Sequence, residues 1–280
     1  MQIDKEQIDS LIKNFEEIKD TIKIDEKNLV KFDTSKSIDR EFLSFTDGRG
    51  GYYMKFLHYM VSTLKPTTVV ELGNREGLST LCIYNGMKEL HESNFYTVDI
   101  EKDQRYCPPA MFSDKRIHFL FGDVCSTEIV TQIPRNIDLL FSDTIHFDHQ
   151  IRDEFEIYQH LLADTALVAI DDIKLNDKGL LFESLPYDKW DLTELCHASG
   201  WGLFLFKRNT PLTETDKVHN LKDSMLKVWE RKYKKLYEDT RNVESQRIGG
   251  RIKNTIKQIT PIYKIYTGIF NFLAYKFRGR

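Results

Sequence analysis

Apolar residues recur at intervals of three and four from Ile3 through Ile8, Leu11, Ile12, Phe15, Ile18 and Ile22, the stripe of an amphipathic helix. Asp4 with Gln7 supplies its capping signal. A polar stretch follows from Asp25 to Arg40, and Asp47-Gly48-Arg49-Gly50-Gly51 marks a loop. A second helix is predicted from about Tyr53 to Leu64, ended by Pro66. Short apolar runs then alternate with helical ones. Strands are predicted at Val69–Leu72, Phe95–Ile100, Ile117–Phe121, Ile137–Phe141 and Ala166–Ile170, with helices at Leu78–Met87 and from about His149 to Leu162. The runs TVVEL, IDLLF and ALVAI read as apolar on both faces, as buried parallel strands are. Trp190–Thr193 and Leu203–Phe206, joined through Gly200-Trp201-Gly202, read as a terminal antiparallel pair. The fold class is α/β, a doubly wound and mostly parallel sheet with an antiparallel last strand and helical appendages at both ends.

After Pro211 the pattern changes again. Val218, Leu221, Met225, Val228, Trp229, Leu236 and Tyr237 mark a long charged helix, broken at Gly249-Gly250. Three regions result: a helical cap at 1–64, the sheet domain at 65–208 and a helical extension at 209–280. Charge sharpens the last boundary. The chain carries −3 overall, yet from Ser245 to Arg280 there are eight Lys/Arg and no Asp/Glu, leaving 32 basic against 43 acidic residues elsewhere. An acidic body with a basic tail points to a separate partner for the tail.

Composition narrows the class further. With 41% hydrophobic residues in 280, the chain can bury a proper core. Cys82, Cys107, Cys125 and Cys196 form no C-x-x-C pair, which suits reduced thiols and a cytoplasmic setting. The N-terminus alternates charge with isoleucine and has no signal-peptide core. No uninterrupted apolar run is long enough to span a bilayer.

The candidate chemistry starts at Val69-Val70-Glu71-Leu72-Gly73-Asn74-Arg75-Glu76-Gly77-Leu78-Ser79-Thr80, a strand, a glycine turn and a helix start. Such a turn aims free backbone N–H groups at a small ligand over the carboxyl end of a parallel sheet. The four-residue glycine spacing is not the dinucleotide pattern. Two further strands also end in acids, at Asp99, with Glu101 as the fallback, and at Asp123. The bland alternatives are turn glycines at Gly73 and Gly77 and a helix cap at Asp123. The fourth strand runs into Asp143-Thr144-Ile145-His146 and the fifth into Asp171-Asp172.

The glycine turn resembles motif I of class I S-adenosylmethionine-dependent methyltransferases. The fourth and fifth strand ends resemble the D-G-D-H-x-x-E and F-D-D of a metal-dependent O-methyltransferase subgroup, catechol-type and macrolide-sugar enzymes among them. The resemblance spans about Thr67 to Lys174 and implies a Rossmann-like fold whose last strand is reversed. It implies cofactor contacts at Glu71, Gly73, Asn74, Gly77, Ser79, Asp99, Asp123 and Asp143. It also implies a divalent cation, Mg²⁺ by its oxygen donors, on Asp143, Asp171 and Asp172, with catalytic roles for Asp143 and for His146 as base. Thr144-Ile145 replaces Gly-Asp of the subgroup, and His149 stands where it often has Glu. A helix cap for Asp172 and a structural histidine at 146 are the rival readings. Asp138, inside the fourth strand, reads as edge-facing or salt-bridged.

The expected activity is metal-assisted O-methylation of a sugar or glycan hydroxyl. The alternatives are a phenolic acceptor and a non-catalytic binding module. The tail interleaves Arg247, Arg251, Lys253 and Lys257 with isoleucines, then Tyr263, Tyr266, Phe270 and Phe272 with further cations. Cations with aromatics suit an anionic membrane surface, which would make the protein peripheral. The tail equally suits packing on the acidic body or on a second copy in a homo-oligomer. No nucleic-acid motif accompanies it.

Overall fold

A computed structural model of the chain describes residues 3–24 and 37–210. Contacts divide the chain into one unit at Met1–Val218 and a second at His219–Arg280. The amphipathic segment from Val218 to Tyr237 and the basic tail lie outside the described residues, as does most of the polar stretch from Asp25.

The elements run α1 (Lys5–Ile18), α2 (Ser37–Thr46), α3 (Tyr53–Leu64), β1 (Thr68–Leu72), α4 (Leu78–Gly86), β2 (Asn94–Asp99), α5 (Pro109–Ser113), β3 (Ile117–Phe121), α6 (Thr127–Val130), β4 (Ile137–Ser142), α7 (Asp148–Tyr158), β5 (Leu162–Asp171), α8 (Gly179–Ser184), β6 (Asp188–Asp191) and β7 (Trp201–Lys207). They build a seven-stranded sheet in the order β3-β2-β1-β4-β5-β7-β6. The first five strands are parallel, and β7 runs antiparallel to both β5 and β6. Strand order reverses between β1 and β4, so their carboxyl ends open the crevice where ligands settle in such sheets. This is the Rossmann-like sheet expected from the strand pattern, including its reversed strand.

Alternation along each strand sends neighbours to opposite layers. Val69, Phe95, Leu139, Leu167 and Leu203 join one core with Phe15 of α1, Phe56 of α3 and Leu81 of α4. Val70, Val98, Leu140, Val168 and Phe204 join the other with Ile151 of α7 and Leu181 of α8. Both faces are therefore covered, which is why the strand runs lack a polar period. Asp138 does not face a sheet edge, because β4 lies between β1 and β5. It is buried in β4, and its Oδ2 accepts from the N–H groups of Thr67 and Thr68 at 2.8 and 3.2 Å, fixing where β1 begins.

The N-terminal helix forms as its pattern requires. Asp4 Oδ1 accepts from Gln7 N–H at 2.9 Å, and Gln7 Oε1 accepts from Asp4 N–H at 3.0 Å, a reciprocal cap. Ile8, Leu11 and Phe15 are its buried face. One boundary moved: α7 stops at Tyr158, and Leu162 opens β5 opposite Ile137. The helical period continues to Leu162, but sheet pairing claims that residue.

Phe15 is fully buried, its ring 4.9 Å from Phe56 and 5.5 Å from Tyr59. Phe15→Ala should cost about 3–5 kcal/mol in denaturant unfolding, the range for an aromatic removed from a packed core. Ile18→Ala, on a side chain 38% exposed, should change stability by under about 0.5 kcal/mol.

Candidate active site

The glycine turn after β1 is shaped by its protein neighbours. Gly73 and Gly77 sit at φ of 84° and 88°, where a Cβ is strained. A Cβ on Gly73 would overlap the carbonyl oxygen of Asp143, and one on Gly77 would stand 2.6 Å from Cys107 Sγ. Gly73 N–H donates to Val98 O at 2.8 Å, while Asp143 N–H donates to Leu72 O at 2.8 Å. The glycine turn and the β4 loop are thus in direct contact.

Asp99 closes this turn from β2. Its Oδ2 accepts from the N–H groups of Asn74 and Arg75 at 2.8 and 2.7 Å, and Oδ1 accepts from Glu101 N–H at 2.8 Å. Oδ2 has both lone pairs committed, so only Oδ1 retains one for a ligand hydroxyl. At the end of β3, Asp123 is half-buried and its Oδ1 accepts from Cys125 N–H at 2.9 Å. The cap of α6 is Ser126, not Asp123.

Beneath the turn lies a buried polar cluster. Glu71 Oε2 accepts from the hydroxyls of Thr80 and Thr97, both at 2.6 Å, and Asn74 Nδ2 donates to Thr97 Oγ1 at 2.8 Å. Glu71 Oε1 and Asn74 Oδ1 are buried acceptors without a donor. Burial pushes the Glu71 carboxyl up to about 7, against the neighbouring hydroxyls of Ser79, Thr80 and Thr97, which favour the anion. Two orphaned acceptors beside a glycine turn fit a cationic amino group, the chemistry sought at this end of the site.

The second cluster stands at the ends of β4 and β5. Donor atoms of Asp143, His146 and Asp172 lie within 4.8 Å of one another, and so do those of Asp171, Asp172 and His197. His146 Nε2 is 2.9 Å from Asp172 Oδ2 and 4.0 Å from Asp143 Oδ1. The set of three acids expected from the resemblance does not converge as one group among the described residues. Asp171 is instead turned to His197, whose Nε2 lies 2.6 Å from its Oδ1. His149 joins neither group; its ring stacks on Phe147 at 5.8 Å. Asp172 adopts φ of 59° and its carboxylate faces His146, while Lys178 holds the cap position of α8.

Crowded acids set the electrostatics. Burial raises Asp143 well above the usual carboxylate range, and the charges of Asp171 and Asp172 add to it. For Asp172, burial pulls upward, but the His146 hydrogen bond and nearby cations leave it below its ordinary value. Burial opposes protonation of His197, and the Asp171 hydrogen bond outweighs it, so that imidazole is raised.

Three residues of this cluster escaped the sequence. His197 comes from the β6–β7 loop and packs at a tilt on Tyr53, ring centroids 4.6 Å apart. Glu154, buried on α7, accepts from Ser142 Oγ at 2.7 Å, Thr144 Oγ1 at 2.6 Å and Gln150 Nε2 at 2.8 Å. Lys178 is fully buried and its Nζ has no hydrogen-bond partner. A buried charge inside an apolar helical pattern is a weak signal that only the fold makes legible.

Residues 70–173 match the family described as a methyltransferase domain. No curated protein matches the chain significantly. Among solved structures, a methyltransferase from Geobacter sulfurreducens is similar at 18% identity and TM-score 0.46, covering 74% of this chain and 98% of that one. The Podospora anserina methyltransferase PaMTH1, bound to SAH, is similar at 15% identity and TM-score 0.44, over 73% of this chain and 97% of that one. The O-methyltransferase TomG from Streptomyces achromogenes, in complex with SAM, is similar at 16% identity and TM-score 0.45, over 74% and 100%.

Glu71 binds its proton more tightly folded than unfolded. Its contribution to stability is full below pH 4.5 and is lost as pH rises through about 7, on the order of 3 kcal/mol. Glu71→Gln removes that dependence. The unfolding free energy of the parent minus that of the variant should fall between pH 4.5 and 7; a flat difference would contradict the buried-acid assignment.

Proposed function

We propose that this chain, whose residues 70–173 form a methyltransferase domain on a Rossmann-like sheet, methylates a hydroxyl group with a divalent cation's help, and that the hydroxyl belongs to a sugar or glycan. The reading rests on one observation: Asp143, His146 and Asp172 converge within 4.8 Å at the crevice, with Asp143 packed against the glycine turn. S-adenosylmethionine supplies an electrophilic methyl on a sulfonium when bound. Glu71 Oε1 and Asn74 Oδ1, buried acceptors without a donor, would hold its ammonium; Asp99 and Asp123 would serve its ribose and adenine, and Gly73, Gly77 and Ser79 would line its site.

On the acceptor side, a divalent cation would rest on Asp143 and Asp172 and lower the pKa of the bound hydroxyl. Asp143 and Asp172 fit it because their crowded charges favour a cation between them, and carboxylates suit Mg²⁺ or Mn²⁺. His146 gives its Nε2–H to Asp172, which leaves Nδ1 to take the acceptor's proton. Asp172 thereby orients the imidazole. The acceptor oxygen would take the methyl as the sulfonium S–C bond breaks to leave a neutral thioether, and would give its proton to His146, so the residues chiefly align two reactants and remove one proton.

A phenolic acceptor is the second reading, favoured by Ile145 and Leu175, apolar neighbours of the acid cluster in sequence that are 48% and 37% exposed. Parallel assays with sugar and phenolic acceptors decide between them. Retained S-adenosylmethionine binding without turnover on either class would favour a binding module instead. The basic tail supports a peripheral place at an anionic membrane, where glycan intermediates reside. Among the described residues no helix is long and apolar enough to cross a membrane.

Asp143→Ala should abolish turnover, by at least about a hundredfold, while sparing S-adenosylmethionine affinity read by thermal shift. Unchanged activity in chelator would sink the metal assignment. Deleting Gly249 to Arg280 should release the protein from phosphatidylserine vesicles in a sedimentation assay, with unchanged binding counting against the tail as anchor.

A further inference from the structure

Asp171 and Asp172 are neighbours in sequence, yet their carboxylates go to different histidines. Asp171 ends β5, where it pairs with Trp201 of β7. Alternation places it on the face of Leu167 and Ala169, which pack in one core with α1, α3 and α4. Asp172 leaves the strand at φ of 59°, and its Oδ2 lies 2.9 Å from Nε2 of His146 in the loop after β4. Asp171 contributes no donor atom to the group of Asp143, His146 and Asp172. Its Oδ1 meets His197 Nε2 at 2.6 Å instead. A carboxylate only accepts, so Nε2 carries the proton of this hydrogen bond.

The N-terminal layer fixes that histidine. Tyr52 N–H donates to Cys196 O at 2.7 Å. Gly51 sits at φ of 113°, and a Cβ there would overlap the same carbonyl oxygen. The Tyr53 ring packs on the imidazole of His197 itself. Within the β6–β7 loop, Gly200 N–H donates to His197 O at 3.0 Å. The side chains of His197 and Asp171 are only 11% and 6% exposed. Turning Asp171 toward an ion would leave that buried N–H without its acceptor, a costly state.

We propose that His197 is a positioning residue that withholds Asp171 from the divalent ion, which leaves Asp143 and Asp172 as its carboxylate ligands and lets the N-terminal layer set the donor count. The inference rests on the metal-assisted reading of the site. Two acids, rather than the three implied by the resemblance, then meet the ion. The two arrangements make opposite demands on His197. A histidine that orients a ligating Asp171 strengthens ion binding, as partners of metal ligands do. A histidine that withholds Asp171 weakens it, because one carboxylate is lost to the ion.

The test uses the full chain and Mn²⁺ alone, with free Mn²⁺ followed by electron paramagnetic resonance and folding checked by thermal shift. His197→Ala should bind Mn²⁺ about tenfold tighter than the parent, as one freed carboxylate joins the ion. Equal or weaker binding by His197→Ala overturns the proposal. The double variant His197→Ala/Asp171→Asn should return to within about threefold of the parent. A gain retained in the double variant has its source outside Asp171 and overturns the proposal too. Asp171→Asn alone keeps an oxygen for His197 Nε2 and should bind Mn²⁺ within about threefold of the parent. A loss of about tenfold or more there makes Asp171 a ligand, which overturns the proposal and leaves the metal-assisted reading intact. That arm decides the matter even if His197→Ala does not fold. A parent that binds no Mn²⁺ removes the metal-assisted reading and the proposal together.

Discussion

The backbone of Gly73 rests on the carbonyl of Asp143, and the arrangement of the crevice follows from that contact. Hydrogen bonding continues one step past the strands themselves. Gly73 N–H reaches Val98 O, Gly122 N–H reaches Asp99 O, and Asp143 N–H reaches Leu72 O. Four adjacent strands therefore release their loops in step, and the loops leave the sheet already in register. A side chain at Gly73 would force the glycine turn and the β4 loop apart. That single contact couples the glycine turn and its buried acceptors to the acid cluster at the ends of β4 and β5.

Around this contact the protein gathers several acids, and it compensates their charge in different ways at the two ends. Glu71 is held by hydroxyl donors and pushed up to about 7 by burial. At the other end, histidines pair with Asp171 and Asp172. Asp143 has no such close partner beyond His146 at 4.0 Å, and burial with the charges of Asp171 and Asp172 raises it above the usual carboxylate range. A cation or an acceptor oxygen has most to gain by meeting that residue.

The N-terminal layer contributes to the site as well as to the core. Tyr52 N–H donates to Cys196 O at 2.7 Å, and the Tyr53 ring packs on His197. The loop between β6 and β7 is thus held against the start of α3, and His197 is held against Asp171. Helices that pattern alone marks as a cap form one wall of the acid cluster.

The strand runs, the glycine turn and the acids at Glu71, Asp99, Asp123, Asp143, Asp171 and Asp172 were all legible in the chain, because each is local. An apolar run of five, a turn that only glycine tolerates and an acid at a strand's end are short-range patterns with short-range causes. Short helices such as α2 and the true end of α7 were not, since pairing and packing with distant segments decide them. The same holds for chemistry. Which acids face one another depends on strand order and on φ at single residues such as Asp172. Asp171 was turned to His197, Asp99 was committed to loop amides, and Glu154 was brought to Ser142 and Thr144 by elements that the sequence pattern does not join. Residue type and spacing determine what a side chain can do; only the packed sheet and its helices determine which charge it meets, because electrostatic coupling follows distance in space.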